Sequence, residues 1–286
     1  MTTSWQLRTK ALDLSKGVIM GVLNVTSDSF SDGGLYLKRA DAVAAGRSMV
    51  EAGAELIDVG GESTRPGAHP VPVVEELQRV LPVIEELASA GMIVSVDTSK
   101  AEVARAAIGA GAEIINDVTA ASSELMTEVM AESGAGVILM HMKGTPRTMQ
   151  QDPVYDSVVG EVASFLSGRA ADVIEHGVAA GSIAVDPGIG FGKTTTHNLE
   201  LLGGLARLTS LGFPVVLGAS RKTFLGTLTG IEDPASRDGV TAVTTALGFE
   251  RGARIFRVHD VASSRAALRV AAAIVNSQEW EEWSPA

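Results

Sequence analysis

The sequence contains no cysteine, and this absence excludes disulfide bonds, cysteine-ligated zinc and cysteine nucleophiles. Its five histidines include no HExxH pair of the kind that binds zinc on a helix. No stretch approaches the roughly 18 consecutive apolar residues that a membrane-spanning helix needs. Residues 1–17 also lack the apolar core of a signal peptide. We therefore expect a cytoplasmic protein with no membrane partner.

Positive charge is scarce as well. The chain carries 23 Lys and Arg against 34 Asp and Glu, for a formal net charge of −11. Nucleic-acid binding depends on a basic surface, so we expect no nucleic-acid partner. A small phosphorylated ligand is not excluded, because a few local cations are enough to bind it.

Several familiar catalytic motifs are missing. The glycine-rich segments 27–34 and 60–67 match neither the Walker loop nor the Rossmann fingerprint, and Ser220 lacks a GxSxG elbow. Segment 188–193 (GIGFGK) is only a weak phosphate-loop signal. The polar, glycine-rich composition of 27–34 and 60–67 is instead typical of loops that close over a substrate.

What is present is one unit, repeated about eight times: a short apolar run, a polar loop and an amphipathic stretch. The predicted strands are 18–25, 55–60, 93–97, 113–118, 136–141, 183–186, 215–218 and 254–258. This alternation implies parallel strands joined by right-handed helical crossovers. We predict an α/β fold, a single-domain (β/α)8 TIM barrel over 17–277, with an N-terminal extension (1–16) and a C-terminal tail (278–286). An open doubly wound sheet is the alternative.

Two helical segments carry specific expectations. Segment 73–90 places Val74, Leu77, Leu81 and Ile84 on one apolar face, with Glu76 among the charged residues elsewhere. The helix after the seventh strand is expected to be interrupted by a surface loop over 230–236.

Nearly every predicted strand ends in a polar residue, and in such barrels the carboxyl ends of the strands carry the active site. Asp97, Asn116 and Asp186 form an acceptor group suited to a heterocycle with a row of N–H donors. Lys222, Arg257 and His259, with Asn24 nearby, form a cationic and polar arc where such folds commonly bind phosphate. Scaffold ion pairs among these same residues are the alternative explanation.

Eight motifs, in order along the chain, resemble the dihydropteroate synthase family. They are MGVLNVTSDSFSDGG (20–34), DVGGESTRPGA (58–68), SVDTSK (95–100), IINDV (114–118), LMHMKGTPRTMQ (139–150), DPGIGFGK (186–193), GASRKTFLG (218–226) and RVHDV (257–261). The resemblance implies a folate-pathway transferase. It would condense 6-hydroxymethyl-7,8-dihydropterin diphosphate with 4-aminobenzoate, with Mg²⁺ assisting, to give 7,8-dihydropteroate and pyrophosphate.

The resemblance also implies a role for each matching residue. Asp97, Asn116, Asp186, Lys222, Met140 and Gly218 would bind the pterin. Asn24, Arg257 and His259 would bind the diphosphate, with Asn24 also a magnesium ligand. Phe30, Thr64, Arg65, Pro66, Phe191, Ser220 and Thr223 would form the 4-aminobenzoate pocket. Asp97, Lys222, Arg257 and Asn24 would be the catalytic residues.

Alternatives remain at this stage. A methyltetrahydrofolate-dependent methyltransferase domain would share the pterin-binding residues but would have little use for loop 27–34 or for the cations. The second alternative is a non-catalytic paralogue that binds pterin without synthesis. The sequence does not decide whether the enzyme is sensitive or insensitive to sulfonamides. The resemblance also implies a homodimer, for which segment 241–252 is a candidate contact face, although ordinary packing explains that segment equally well.

Overall fold

The computed structural model describes residues 3–25, 35–64 and 67–277, and these form a barrel of eight parallel strands with helices around it. The barrel strands are β3 (Val18–Asn24), β4 (Leu56–Gly60), β5 (Ile93–Asp97), β6 (Ile114–Asp117), β7 (Gly136–Met140), β8 (Ile183–Asp186), β9 (Val216–Leu217) and β10 (Ile255–Val258). All eight predicted strands are present, and their predicted bounds agree with these to within one residue.

The helices follow the strands in chain order. They are α1 (Leu35–Glu51), α2 (Val73–Ser89), α3 (Ala101–Gly109), α4 (Glu124–Ser133), α5 (Val158–Glu175), α6 (Thr195–Gly203), α7 (Leu205–Thr209), α8 (Thr223–Thr229), α9 (Asp238–Glu250) and α10 (Val261–Val275). The predicted interruption after the seventh strand is confirmed, because 230–237 separates α8 from α9. Among the described helices, none is long and apolar enough to cross a membrane.

Strand pairing closes the sheet into a barrel. Hydrogen-bonded neighbours run in the order β8-β7-β6-β5-β4-β3-β10-β9. A parallel bridge between Val185 and Val215 then connects the two ends of this order. The predicted (β/α)8 barrel is therefore confirmed, and the open doubly wound sheet is wrong.

A hairpin closes the amino-terminal end of the barrel. Its strands, β1 (Ser4–Gln6) and β2 (Ala11–Asp13), pair antiparallel, and Trp5 is fully buried between them and the barrel interior. Trp5 Nε1 donates a hydrogen bond to the Ser182 carbonyl at 2.7 Å. Leu7 and Leu14 join Trp5 in the inner apolar cluster. The segment that looked like an extension in the sequence thus plugs the end of the barrel opposite the polar strand ends.

The predicted inner face of α2 is partly wrong. Val74 is 65% exposed, while Glu76 is completely buried beside Val80, Val83 and Ile84. Glu76 is tolerated inside because the ammonium group of Lys100 donates a hydrogen bond to its carboxylate. The other three predicted residues, Leu77, Leu81 and Ile84, do contact the core, so the error is confined to the first turn.

Candidate active site

The register of the parallel strands brings the polar strand ends to one rim. Asn24 on β3 lies level with Gly60 on β4, Gly60 with Asp97 on β5, and Asp97 with Asn116 on β6. On the other side of β3 runs β10, which carries Arg257. Residues far apart in the sequence therefore meet at the carboxyl ends of neighbouring strands, as predicted.

Arg257 links the acidic residues of this rim. Its Nε donates to Asp58 Oδ2 at 2.6 Å, and its Nη2 donates to Asp97 Oδ2 at 2.7 Å. Asn116 Nδ2 donates to the same Asp58 oxygen at 3.1 Å. Asp58 is fully buried on β4, where a carboxylate needs such partners. The predicted separation between acceptor group and cationic arc thus does not hold for Arg257, which is ion-paired with the acids.

The environment of Asp97 is tuned away from an ordinary carboxylate. Burial raises its pKa to about 7, and although Arg257 opposes this rise, the neighbouring Asp58 adds to it. Groups with a pKa shifted by burial and by named charged neighbours cluster at functional sites, which favours Asp97 as part of one.

Asp186, at the end of β8, and Lys222, directly before α8, interact through their charges. Asp186 Oδ1 accepts a hydrogen bond from the Gly188 amide at 2.7 Å. Burial raises the pKa of Asp186, with Lys222 acting in the opposite direction. Burial lowers the pKa of Lys222 to about 8, against the attraction of Asp186. A Cβ on Gly218 would lie 3.6 Å from Asp186 Oδ2, so this glycine leaves room directly beside the carboxylate.

Phe191 and Met140 border the same region. Lys222 Nζ lies 4.5 Å from the centre of the Phe191 ring, within range of a cation–π interaction, and also donates to the Ile189 carbonyl. Met140 ends β7 level with Asp186 and is 4% exposed. Both predicted residues therefore lie next to the Asp186–Lys222 pair.

Ser220 and His259 connect the loops after β9 and β10. Ser220 Oγ lies 3.0 Å from His259 Nδ1, and it accepts a hydrogen bond from the His259 amide at 3.1 Å. Thr223 is exposed at the start of α8. Arg221, in contrast, forms a bidentate ion pair with Asp238 at 2.7 and 2.6 Å. The Arg221 guanidinium is therefore paired with a carboxylate on α9 and does not belong to the group of cations at the rim.

The remaining predicted residues belong to the loops after β3 and β4. Thr64 is half-buried after β4. Phe30, Arg65 and Pro66 lie outside the described residues, so the predicted contribution of these three to a 4-aminobenzoate pocket stays a prediction.

Two residues were given no specific role in the sequence-based prediction. Asp58 counts among the polar residues of the strand ends, but no binding or catalytic role was assigned to it, although an acid inside an apolar strand is a signal that favours one. Lys100, which donates to both Glu62 and the buried Glu76, had no comparable signal. Val71 also donates to Glu62, at 3.2 Å, so this cluster holds both ends of the loop after β4.

A magnesium ion would find few protein ligands here. Among the described residues, no group of three or more acidic or histidine side chains is arranged to hold a metal. Asn24 offers one amide oxygen at the end of β3, half-buried at the rim. Mg²⁺ commonly keeps several waters and binds through one or two protein oxygens plus substrate phosphates, so this donor set fits the ion only together with a phosphorylated ligand.

A closed (β/α)8 barrel with buried acids and cations at the carboxyl ends of its strands defines the class of TIM-barrel enzymes. The family model described as "Pterin binding enzyme" matches residues 20–259. The chain is 45% identical to the dihydropteroate synthase of Escherichia coli (strain K12) over 270 residues, which covers 94% of this chain and 95% of that relative.

Solved structures agree with this comparison. Xanthomonas albilineans dihydropteroate synthase with 4-aminobenzoic acid superposes with a TM-score of 0.91 at 45% identity, over 96% of this chain and 99% of that one. Burkholderia cenocepacia dihydropteroate synthase complexed with 7,8-dihydropteroate gives 0.87 at 38% identity, over 97% and 98%. The chain belongs to the pterin-binding enzymes and, within them, to the dihydropteroate synthase family of transferases.

Proposed function

We propose that the chain condenses 6-hydroxymethyl-7,8-dihydropterin diphosphate with 4-aminobenzoate, giving 7,8-dihydropteroate and pyrophosphate. One observation carries the proposal: the acceptors Asp97, Asn116 and Asp186 share one rim with the cations Lys222 and Arg257. The relatives with 4-aminobenzoic acid and 7,8-dihydropteroate support the choice of second substrate and product. They favour a synthase over the methyltransferase and the non-catalytic paralogue.

The acceptor residues would recognise the pterin ring. A dihydropterin presents a row of N–H donors, and carboxylate and amide oxygens are the side-chain groups that accept them. Asp97, Asn116 and Asp186 are each less than a tenth exposed, so hydrogen bonds formed there would be shielded from water. Lys222, beside Asp186, would donate to an acceptor on the same ring, with Met140 and Gly218 lining it.

Binding of the pterin would change the partners of Arg257. Asp97 accepts from Arg257 in this structure, and a pterin donor approaching the same oxygen would replace that bond. Asp58 would keep hold of Nε and preserve the position of the guanidinium plane. The Nη2 group released from Asp97 could then donate to the diphosphate, because the planar guanidinium matches the geometry of phosphate oxygens.

The reaction transfers a carbon from oxygen to nitrogen. The amine nitrogen of 4-aminobenzoate attacks the exocyclic methylene, the carbon–oxygen bond breaks with its electrons going to pyrophosphate, and the amine loses one proton. Arg257, His259 and Asn24 would stabilise the negative charge that grows on the leaving group. A bound Mg²⁺, with Asn24 as a protein ligand, would supply further charge stabilisation.

The second substrate, 4-aminobenzoate, would bind between the loops that follow the barrel strands. The side chains assigned to it by resemblance are Phe30, Thr64, Arg65, Pro66, Phe191, Ser220 and Thr223. Closure of the loops would also exclude water from the activated methylene.

A homodimer is a further part of the proposal. Helices α9 and α10 pack against one another, and each also carries large exposed apolar residues: Val243 (56%), Leu247 (47%), Val270 (61%) and Ile274 (70%). A second copy would cover such a surface. Light scattering should then give twice the chain mass, and Val243→Glu should give monomers, whereas Leu125→Glu on α4 should not.

A cytoplasmic location remains a prediction from the sequence.

The test is pyrophosphate release from dihydropterin diphosphate and Mg²⁺, with and without 4-aminobenzoate. Release that depends on 4-aminobenzoate is expected, and a sulfonamide arm shows whether the pocket separates drug from substrate. Asp97→Asn and Lys222→Gln should abolish turnover with an unchanged circular dichroism spectrum. Tight pterin binding without any release would contradict the proposal and favour the non-catalytic paralogue.

A further inference from the structure

Side chains hold the loop that connects β8 to α6 by donating hydrogen bonds to its backbone carbonyls. Four consecutive oxygens each accept a hydrogen bond from a different side chain: Ile189 from Lys222 Nζ, Gly190 from Gln150 Nε2 at 2.7 Å, Phe191 from Lys193 Nζ at 2.9 Å and Gly192 from Tyr155 OH at 2.9 Å. Backbone groups of a loop are often left to water. Here the surrounding side chains satisfy them and restrict the path of the loop.

Glycine lets this loop lie directly against the loop after β7. Gly188 has φ +65°, and a Cβ there would come within 1.8 Å of the His141 carbonyl oxygen. A Cβ on Gly192 would come within 2.6 Å of the Lys143 carbonyl oxygen. Between these contacts stands Phe191, the aromatic residue of the segment. Its backbone position is therefore determined on both sides.

Lys193 is the least ordinary member of this arrangement. It is 3% exposed, and its Nζ contacts His141 Nδ1 at 2.9 Å as well as the Phe191 carbonyl. Within the described parts of the chain its hydrogen-bond partners are the His141 ring and the His141 and Phe191 carbonyls, and no carboxylate is among them. Burial, followed by Lys222, lowers its pKa to about 7. Burying an amine without an acid is costly, so its place needs an explanation.

His141 completes the contact. Burial and the nearby Lys193 lower its pKa to about 3, so the ring is neutral and Nδ1 can accept a hydrogen bond from the amine. His141 follows β7, and its amide donates to the Asp186 carbonyl at 3.0 Å. Lys193 therefore ties the Phe191 backbone to the strand ends that carry the pterin-binding candidates.

We infer that Lys193 is a positioning residue for the second substrate: through the Phe191 carbonyl and His141 it holds the Phe191 ring where 4-aminobenzoate packs. The inference rests on the proposed function, which assigns Phe191 to that pocket. It goes further, because it gives a role to a buried lysine that the proposed function assigns to neither substrate. A purely structural lysine would affect both substrates alike, whereas this role predicts a larger effect on 4-aminobenzoate than on the pterin substrate.

The experiment compares Michaelis constants in the full chain. Lys193→Met keeps most of the length of the side chain and removes its donor. Losing one such hydrogen bond should raise KM for 4-aminobenzoate about tenfold. KM for dihydropterin diphosphate should rise by a smaller factor, since Lys193 donates no hydrogen bond to a pterin-binding side chain and acts on Asp186 only through its charge and through His141. Lys193→Gln, which keeps a donor, should recover part of the loss. Lys10→Met is the control, because it makes the same substitution at an exposed position of the hairpin at the opposite end of the barrel.

Two further variants keep the test decisive. Phe191→Ala sets the size of the effect when the ring itself is lost. Tyr155→Phe removes one hydroxyl donor from the adjacent Gly192 carbonyl and should raise the same KM by a smaller factor, even where Lys193→Met does not fold.

The outcomes separate the inference from the function on which it rests. Equal rises in both Michaelis constants, or a rise with Phe191→Ala and none with Lys193→Met or Tyr155→Phe, would overturn the inference alone. Absence of 4-aminobenzoate-dependent release in the unsubstituted chain would overturn the proposed function as well.

Discussion

Gly188 offers a sharp test of how closely the rim is packed. Replacing it with Ala adds one methyl carbon in a backbone conformation of φ +65°, 1.8 Å from the His141 carbonyl oxygen. Gly134, at the end of α4, has nearly the same φ of +63°, but a Cβ there meets nothing within 4 Å. The two substitutions therefore share the backbone strain and differ in the clash.

The magnitudes follow from this difference. A left-handed alanine costs about 1–2 kcal/mol, partly offset by the lower entropy of the unfolded chain, so Gly134→Ala should lose about 1 kcal/mol. In Gly188→Ala the carbonyl must also retreat by about 1.2 Å to reach even 3.0 Å. Overpacking of this kind adds about 1–3 kcal/mol, for a total loss of about 2–4 kcal/mol.

Activity should separate the two variants more strongly than stability does. The His141 amide donates to the Asp186 carbonyl, so a shift of His141 displaces a pterin-binding candidate. A misplacement of about 1 Å lowers turnover by about a hundredfold, whereas Gly134→Ala should retain full activity. Urea unfolding and steady-state pyrophosphate release measure both effects. Equal losses in the two variants would refute the argument from packing.

Three other changes test the buried charges. Asp58→Asn should lower the free energy of unfolding by about 1.5–3 kcal/mol, measured in urea, and lower kcat, since Arg257 loses a charged partner; an unaltered kcat would contradict this. Because the pKa of Asp97 is raised to about 7 and its carboxylate must accept the pterin donors, kcat/KM for the pterin substrate should fall as the pH drops below about 7. A value of kcat/KM that does not change with pH in this range would contradict the prediction. Lys100→Met should destabilise the fold by about 3–5 kcal/mol by stranding the buried Glu76, and adding Glu76→Gln should recover most of it by thermal unfolding.

The barrel itself was predictable from the sequence because it depends on local pattern. Each strand is an apolar run covered on both faces, and each polar residue at its end follows from the chain direction shared by parallel strands. For that reason the sequence alone predicts that Asp97, Asn116, Asp186 and Arg257 lie at one rim. The hairpin over residues 3–16 could not, since its three-residue strands carry too short a pattern.

The side-chain partners depended on the tertiary structure. The sequence by itself determined the eight strands, the rim and the kinds of group on it. The pairing of Arg257 with Asp58 and Asp97, the burial of Glu76 and the contact of Lys193 with His141 were decided only by folding. The physical reason is that burial and hydrogen bonding act between residues far apart in the sequence, 199 positions for Arg257 and Asp58, and no local periodicity carries that information.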